Sequence, residues 1–176
     1  GGFALMEEAI SMSGIGELPL VIHNAMRPGP GTGLPTRTEQ GDLNLAMYAG
    51  HGDFPRVLLA PTSLESGVEL GQKAFNIADK YQVPVIILSD ANYLSQSMNL
   101  GKVNLEENEY HVVESTEDYK RYQYTESGIS PRSVPGYGKG LVKVDSDEHT
   151  EEGLITEDFD VRIKMMDKRM NELDCY

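Results

Sequence analysis

Hydrophobic and polar positions switch between two periods over residues 1–100. In residues 3–12 the apolar side chains Phe3, Met6 and Ile10, together with Leu5 and Ala9, recur at helical spacing. Residues 19–22 (PLVI) are a short apolar run behind a glycine-rich break and predict a buried strand. Residues 27–36 predict a loop, because Pro28, Gly29, Pro30, Gly31, Gly33 and Pro35 can hold neither a helix nor a ladder. Helical spacing returns over 40–49 with Leu43, Ala46, Met47 and Tyr48. Residues 56–60 predict a strand. Residues 63–81 predict a long helix, opened by Ser63 as N-cap with Glu65 and Glu69 close behind. Residues 84–89 (PVIILS) are apolar throughout, the pattern of a strand covered on both faces.

Strands alternating with helices imply an α/β fold, a parallel sheet with crossover helices. In such sheets ligands bind beyond the carboxyl ends of the strands. The loop that starts at Arg27 directly follows the first strand, which ends near Ala25. That placement makes residues 27–40 (RPGPGTGLPTRTEQ) the candidate ligand-binding segment.

The pattern changes after residue 100. Residues 104–118 are acidic and weakly periodic, 119–140 are rich in Tyr, Ser, Pro and Gly, and 145–158 are strongly acidic. Short strands are expected near 140–144 and little else that is regular. Long excursions of this kind are functional or disordered. At the end, Phe159, Ile163, Met166, Met170 and Leu173 repeat at spacings of four and three, an amphipathic helix that needs a partner surface. Its apolar stripe is expected to pack on its own domain rather than on another subunit. The chain thus divides into an α/β core over 1–100, an irregular excursion of the same domain over 101–158 and a terminal helix over 159–176.

A length of 176 residues suits one domain with a real core. The net charge of −13 argues against nucleic acid and anionic lipid as partners, since both are polyanionic. The single cysteine, Cys175, allows no internal disulfide and points to a reducing, cytoplasmic setting. The longest apolar runs are too short to span a bilayer.

Arg27 can present a planar fork to a carboxylate or phosphate, or can form a surface salt bridge. Gly29, Gly31 and Gly33 allow close backbone approach and an anion nest. The spacing fits neither GxxxxGK[ST] nor GxGxxG, which disfavours a nucleotide. Thr32, Thr36 and Thr38 offer hydroxyls for a ligand or for capping, and Thr38 is placed to cap the helix near Gln40. His51 lies in a turn and reads as a general acid or base or as a surface histidine. His23 is expected in the core or behind the site. His111 and His149 show no metal-ligand spacing. Asp90 and Asn92 follow a strand on the same sheet edge as Arg27, either as ligand contacts or as turn formers.

The loop sequence Arg27-Pro28-Gly29-Pro30-Gly31-Thr32-Gly33-Leu34-Pro35-Thr36-Arg37-Thr38-Glu39-Gln40-Gly41-Asp42-Leu43 resembles the α subunits of 2-oxoacid:ferredoxin oxidoreductases, the 2-oxoglutarate synthase type above all. So do Gly1-Gly2-Phe3-Ala4-Leu5-Met6-Glu7-Glu8-Ala9, His51-Gly52-Asp53-Phe54-Pro55-Arg56, Gly128-Ile129-Ser130-Pro131-Arg132 and Asp147-Glu148-His149, in order along the chain. The resemblance implies a pyrimidine-type domain of the thiamine diphosphate-binding fold, truncated at both ends. It implies an enzyme that converts a 2-oxoacid and coenzyme A to acyl-CoA and carbon dioxide and reduces ferredoxin. Thiamine diphosphate with its Mg²⁺, and a 4Fe-4S cluster, would be held mainly by a partner β subunit. By motif, Arg27 and Thr36 would face the substrate carboxylate and keto group, as catalytic and substrate-binding residues, with Thr32 supporting the substrate. No cofactor-binding residue is assigned in this chain and no metal ligand. Gly31 departs from the family's usual Ser. The glutamate that activates the aminopyrimidine is expected upstream of Gly1 and a further domain after Leu173, so the isolated chain is expected to be inactive. The alternatives are a pyruvate or branched-chain 2-oxoacid enzyme, or a non-catalytic module that docks a partner subunit.

Overall fold

A computed structural model describes residues 1–103, 105 and 107–174; Cys175 lies outside them. The element order is α1 (Glu7–Ile15), β1 (Leu20–Met26), α2 (Leu43–Met47), β2 (Val57–Leu59), α3 (Leu64–Tyr81), β3 (Pro84–Asp90), α4 (Ala91–Leu94) and α5 (Phe159–Met170), with single 3-10 turns before α1 and after α5. The three strands are parallel in the order β1-β3-β2, with Met26 opposite Asp90 at the carboxyl end.

The strand β3 is central, which is why its sequence is apolar at nearly every position. Ile86 and Leu88 join Phe3, Ile10, Ile22, Met26 and Phe54 on the α1 side of the sheet. Val85 joins Ala74, Ile77, Ala78 and Tyr81 of α3 on the other. The edge strand β1 leaves His23 exposed, with Nε2 2.6 Å from Ser89 Oγ. The expectation of a core His23 is therefore corrected: the sheet order puts its strand at an edge. Ser63 does cap α3, and Ser63 and Ser66 exchange hydrogen bonds across the first turn. The helix at 40–49 shrinks to five residues. Its N-cap is Asp42, and Thr38 does not cap it.

Across the excursion, the short strands expected near 140–144 do not form. Two isolated bridges, Ser115 with Gly138 and His149 with Ile155, are the regular pairings among its described residues. Side chains hold the chain instead. Asp79 of α3 accepts from His111 N–H and pairs with Arg132. The Tyr119 hydroxyl donates to Pro131 O at 2.9 Å and accepts from Ser133 N–H at 2.7 Å.

The terminal helix forms, but with the opposite face inward. Phe159, Ile163 and Met170 are exposed, while Met165, Lys168, Arg169 and Glu172 are buried. The inward expectation for the apolar stripe holds only for Met166 and Leu173, which are half-buried; the face turned inward is set by ion pairs to the buried Glu17 and the partly buried Glu148. Lys168 Nζ lies 2.6 Å from both oxygens of Glu17, which sits fully buried in the turn after α1. Arg169 forks onto Glu148 at 2.8–3.1 Å. Arg121, also buried, donates to Glu17 O at 2.5 Å.

Within this cluster the Glu172 carboxyl is pushed up to about 9, first by burial and then by the Glu17 charge, against Lys168, Arg169 and Arg121. Between its ordinary value of 4.5 and about 9, the native protein keeps a proton that the unfolded chain has lost. Stability therefore falls as pH rises through that window. The variant Glu172→Gln is expected to flatten this slope in urea midpoints measured across the same pH range. An unchanged slope would count against the assignment. Among the described residues no helix is long and apolar enough to cross a membrane.

Candidate active site

The loop between β1 and α2 leaves the sheet at its carboxyl edge. Polar residues at that edge, Asn24 on β1 and Ser89 and Asp90 on β3, are buried among apolar neighbours. Arg27, the first residue after β1, is half-buried, and its guanidinium makes no hydrogen bond or ion pair among the described residues. Its Nη2 lies 3.7 Å from where a Cβ on Gly1 would stand. A guanidinium without an acceptor among the described residues, at the carboxyl end of a parallel strand, is a candidate donor to an anion.

Residues 29–41 are all exposed. Their shape is nonetheless specified. Leu34 N–H donates to Pro28 O at 3.1 Å, and Arg37 N–H to Leu34 O at 3.3 Å. At Gly33, with φ +56°, a Cβ would fall 1.6 Å from Pro28 O, so the turn admits only glycine. Thr36 has φ +61°, a left-handed conformation that costs a β-branched residue about 1–3 kcal/mol and that collects at ligand sites. Thr32 and Thr36 both present their hydroxyls from the exposed stretch.

The far end of the loop returns to the same edge. Gln40 Nε2 donates to Asp90 Oδ2 at 2.7 Å, and Asn24 Nδ2 to Asp42 Oδ2 at 3.3 Å. A cavity of about 510 Å³ opens there, lined by Met26, Gln40, Leu43, Ser89, Asp90 and Tyr93 among others. Asp90 Oδ1 also accepts the Tyr93 N–H at 2.8 Å and so caps α4. Its carboxyl is held below the usual range by the Gln40 amide and then by that N–H. Asp90 is thus a turn former, as one reading of the sequence held, and also an anchor for the loop. Gln40 closes the segment the sequence singled out, while Asn24 and Asp42 are residues that sequence reasoning missed. The signal was Asn24, a polar residue interrupting an apolar strand at its carboxyl end.

The histidines stand elsewhere. His51 is largely exposed and lies 3.1 Å from Glu8 Oε2, the surface reading. His149 is buried against the Tyr122 ring at 3.8 Å, and burial depresses its basicity. Among the described residues no group of three or more His, Cys, Asp or Glu is placed to hold a metal ion.

Residues 1–168 match the family model described as pyruvate flavodoxin/ferredoxin oxidoreductase, thiamine diphosphate-binding. The chain belongs to this family. Among curated relatives in the oxidoreductase family, the 2-oxoacid:ferredoxin oxidoreductase 1 α subunit of Sulfurisphaera tokodaii is 42% identical over 98% of the chain and 28% of its own length. The 2-oxoglutarate synthase subunit KorA of Archaeoglobus fulgidus is 37% identical over 80% of the chain and 42% of its own. The chain therefore spans well under half the length of these curated relatives. A solved 2-oxoglutarate:ferredoxin oxidoreductase from Magnetococcus marinus, with 2-oxoglutarate, coenzyme A and succinyl-CoA bound, superimposes with a TM-score of 0.89 at 36% identity, over 99% of this chain and 32% of that one. The α/β reading of the sequence holds: this chain shares that structure's fold.

Proposed function

We propose that this chain is the substrate-facing portion of the α subunit of a 2-oxoglutarate:ferredoxin oxidoreductase. The reaction takes 2-oxoglutarate, coenzyme A and two equivalents of oxidised ferredoxin to succinyl-CoA, carbon dioxide, two equivalents of reduced ferredoxin and a proton. In this reading residues 1–100 form the core of the pyrimidine-side domain, 101–158 its excursion, and Phe159–Met170 the terminal helix packed on that core. The observation that carries the reading is Arg27: a guanidinium without a partner among the described residues, at the carboxyl end of a parallel strand and the mouth of an exposed loop with a strained threonine.

The donors present suit an anionic 2-oxoacid. Arg27 would hold the carboxylate by two parallel N–H bonds, and the Thr36 hydroxyl would orient the keto oxygen. Thr32 and the backbone N–H groups of the glycine turns would keep that shape. Among the described residues no three His, Cys, Asp or Glu side chains stand together to hold Mg²⁺. We assign Mg²⁺, the diphosphate and a 4Fe-4S cluster to a β subunit, in a cytoplasmic hetero-oligomer. Thiamine diphosphate, when bound, supplies the nucleophile and the electron sink. This chain's own part is to fix the oxoacid so that the bond between its carboxylate and keto carbons can break.

In the full subunit assembled with its β partner, Arg27→Ala is expected to lower kcat/KM for 2-oxoglutarate-dependent, coenzyme A-dependent dye reduction by roughly ten- to a hundred-fold. An unchanged kcat/KM removes Arg27 from the site. Higher kcat/KM with pyruvate or a branched-chain 2-oxoacid than with 2-oxoglutarate would reassign the substrate within the family.

A further inference from the structure

Both ends of the loop are tied to one residue. The near end leaves β1 at Met26, which stands directly opposite Asp90 in the parallel register. The far end is held by the 2.7 Å hydrogen bond from Gln40 to the Asp90 carboxylate. The two oxygens of Asp90 are divided between tasks: Oδ1 takes the N–H of Tyr93 in α4, and Oδ2 takes Gln40. Asp90 is buried, so its carboxylate is fixed by the strand and the helix start rather than by solvent. Gln40 is exposed and gains a defined position only through this bond. Among the described residues the hydrogen bonds made between the two ends, Leu34 to Pro28 and Arg37 to Leu34, are internal to the loop. The weaker contact from Asn24 to Asp42 at 3.3 Å closes the same edge two residues further on.

We infer that Asp90 and Gln40 are positioning residues for the 2-oxoacid: their hydrogen bond clamps the substrate loop shut, so that Arg27 and Thr36 meet the ligand already in place. The inference rests on the proposed role of that loop. A surface loop with closed ends is ordered by few contacts, and ordering it on binding subtracts from affinity. The clamp places that cost in folding instead. It acts on binding and touches no reacting atom.

Other charged or titratable groups around the pair are accounted for. On the loop, Asp42 is joined to Asn24 and Glu39 is exposed. On α4 the Tyr93 hydroxyl donates to Ser63 O, and on β1 His23 is bonded to Ser89. Arg27 lies toward Gly1. None of them hydrogen-bonds to the Asp90 carboxylate.

The test is steady-state kinetics on the assembled enzyme with 2-oxoglutarate. Gln40→Met keeps the length of the side chain and removes the donor; KM is expected to rise about tenfold, with kcat changed less than about twofold. Gln40→Glu sets two carboxylates face to face, which raises the pKa of the pair. At low pH they share a proton and the clamp holds; as pH rises both ionise and KM climbs, a pH dependence added to that of the parent enzyme. The double variant Gln40→Glu with Asp90→Asn restores one donor and one acceptor, and should return both the KM and its pH profile to those of the parent. Gln40 is exposed, so its single variants are expected to fold. If they leave KM and its pH profile unchanged while Arg27→Ala raises KM, the clamp is wrong and the proposed function stands. A fall in kcat at constant KM also overturns the clamp. If Arg27→Ala is silent as well, both readings fall together.

Discussion

Lys168→Met is expected to destabilise the domain by about 3–5 kcal/mol, because it leaves the Glu17 carboxylate buried without its cation. Glu17 and Lys168 are 0% and 5% exposed, and Lys168 contacts both carboxylate oxygens at 2.6 Å. Arg121 does not replace it: its guanidinium stands 3.9 Å from the carboxylate and is used on the Glu17 and Gly16 carbonyls. Urea midpoints at constant slope measure the loss. Removing the charge at both positions, with Glu17→Gln and Lys168→Met together, should recover part of it, since the pair as a whole costs desolvation on both sides. A single variant as stable as the parent would mean that water reaches Glu17.

Gly33→Ala is expected to lower kcat/KM for the 2-oxoacid by about a hundredfold or more, beyond the loss from Arg27 alone. The added methyl would stand 1.6 Å from Pro28 O, a backbone atom, in a residue with φ +56°. Neither the oxygen nor the dihedral can yield without opening the turn that Leu34 and Pro28 close. Arg27 and Thr36 flank that turn, so both ligand groups move at once. Every residue of 29–41 is exposed, so global stability should change little. Full activity in this variant would show that the turn does not set the geometry of the site.

Much of the architecture was legible because it is local. The continuous apolar run at 84–89 identified the central strand, Ser63 identified the start of α3, and the run of Gly and Pro identified the loop. The expected place of Arg27, at the end of a parallel strand, was legible too: β1 ends at Met26, directly before it. Sequence alone determined the helical period near the chain's end as well. Only the tertiary structure decided which face of that helix turns inward. Hydrophobic spacing favoured Phe159, Ile163 and Met170, but the buried carboxylate that attracts Lys168 lies 151 residues away in the chain. The fate of His23 depended on the β1-β3-β2 order, which leaves its strand at an edge. The clamp on the loop joins residues 50 apart, Gln40 and Asp90. Local pattern specifies elements through propensity and period. Partners for buried charges and for loop ends are chosen by which distant segments the fold brings together, and no local period carries that information.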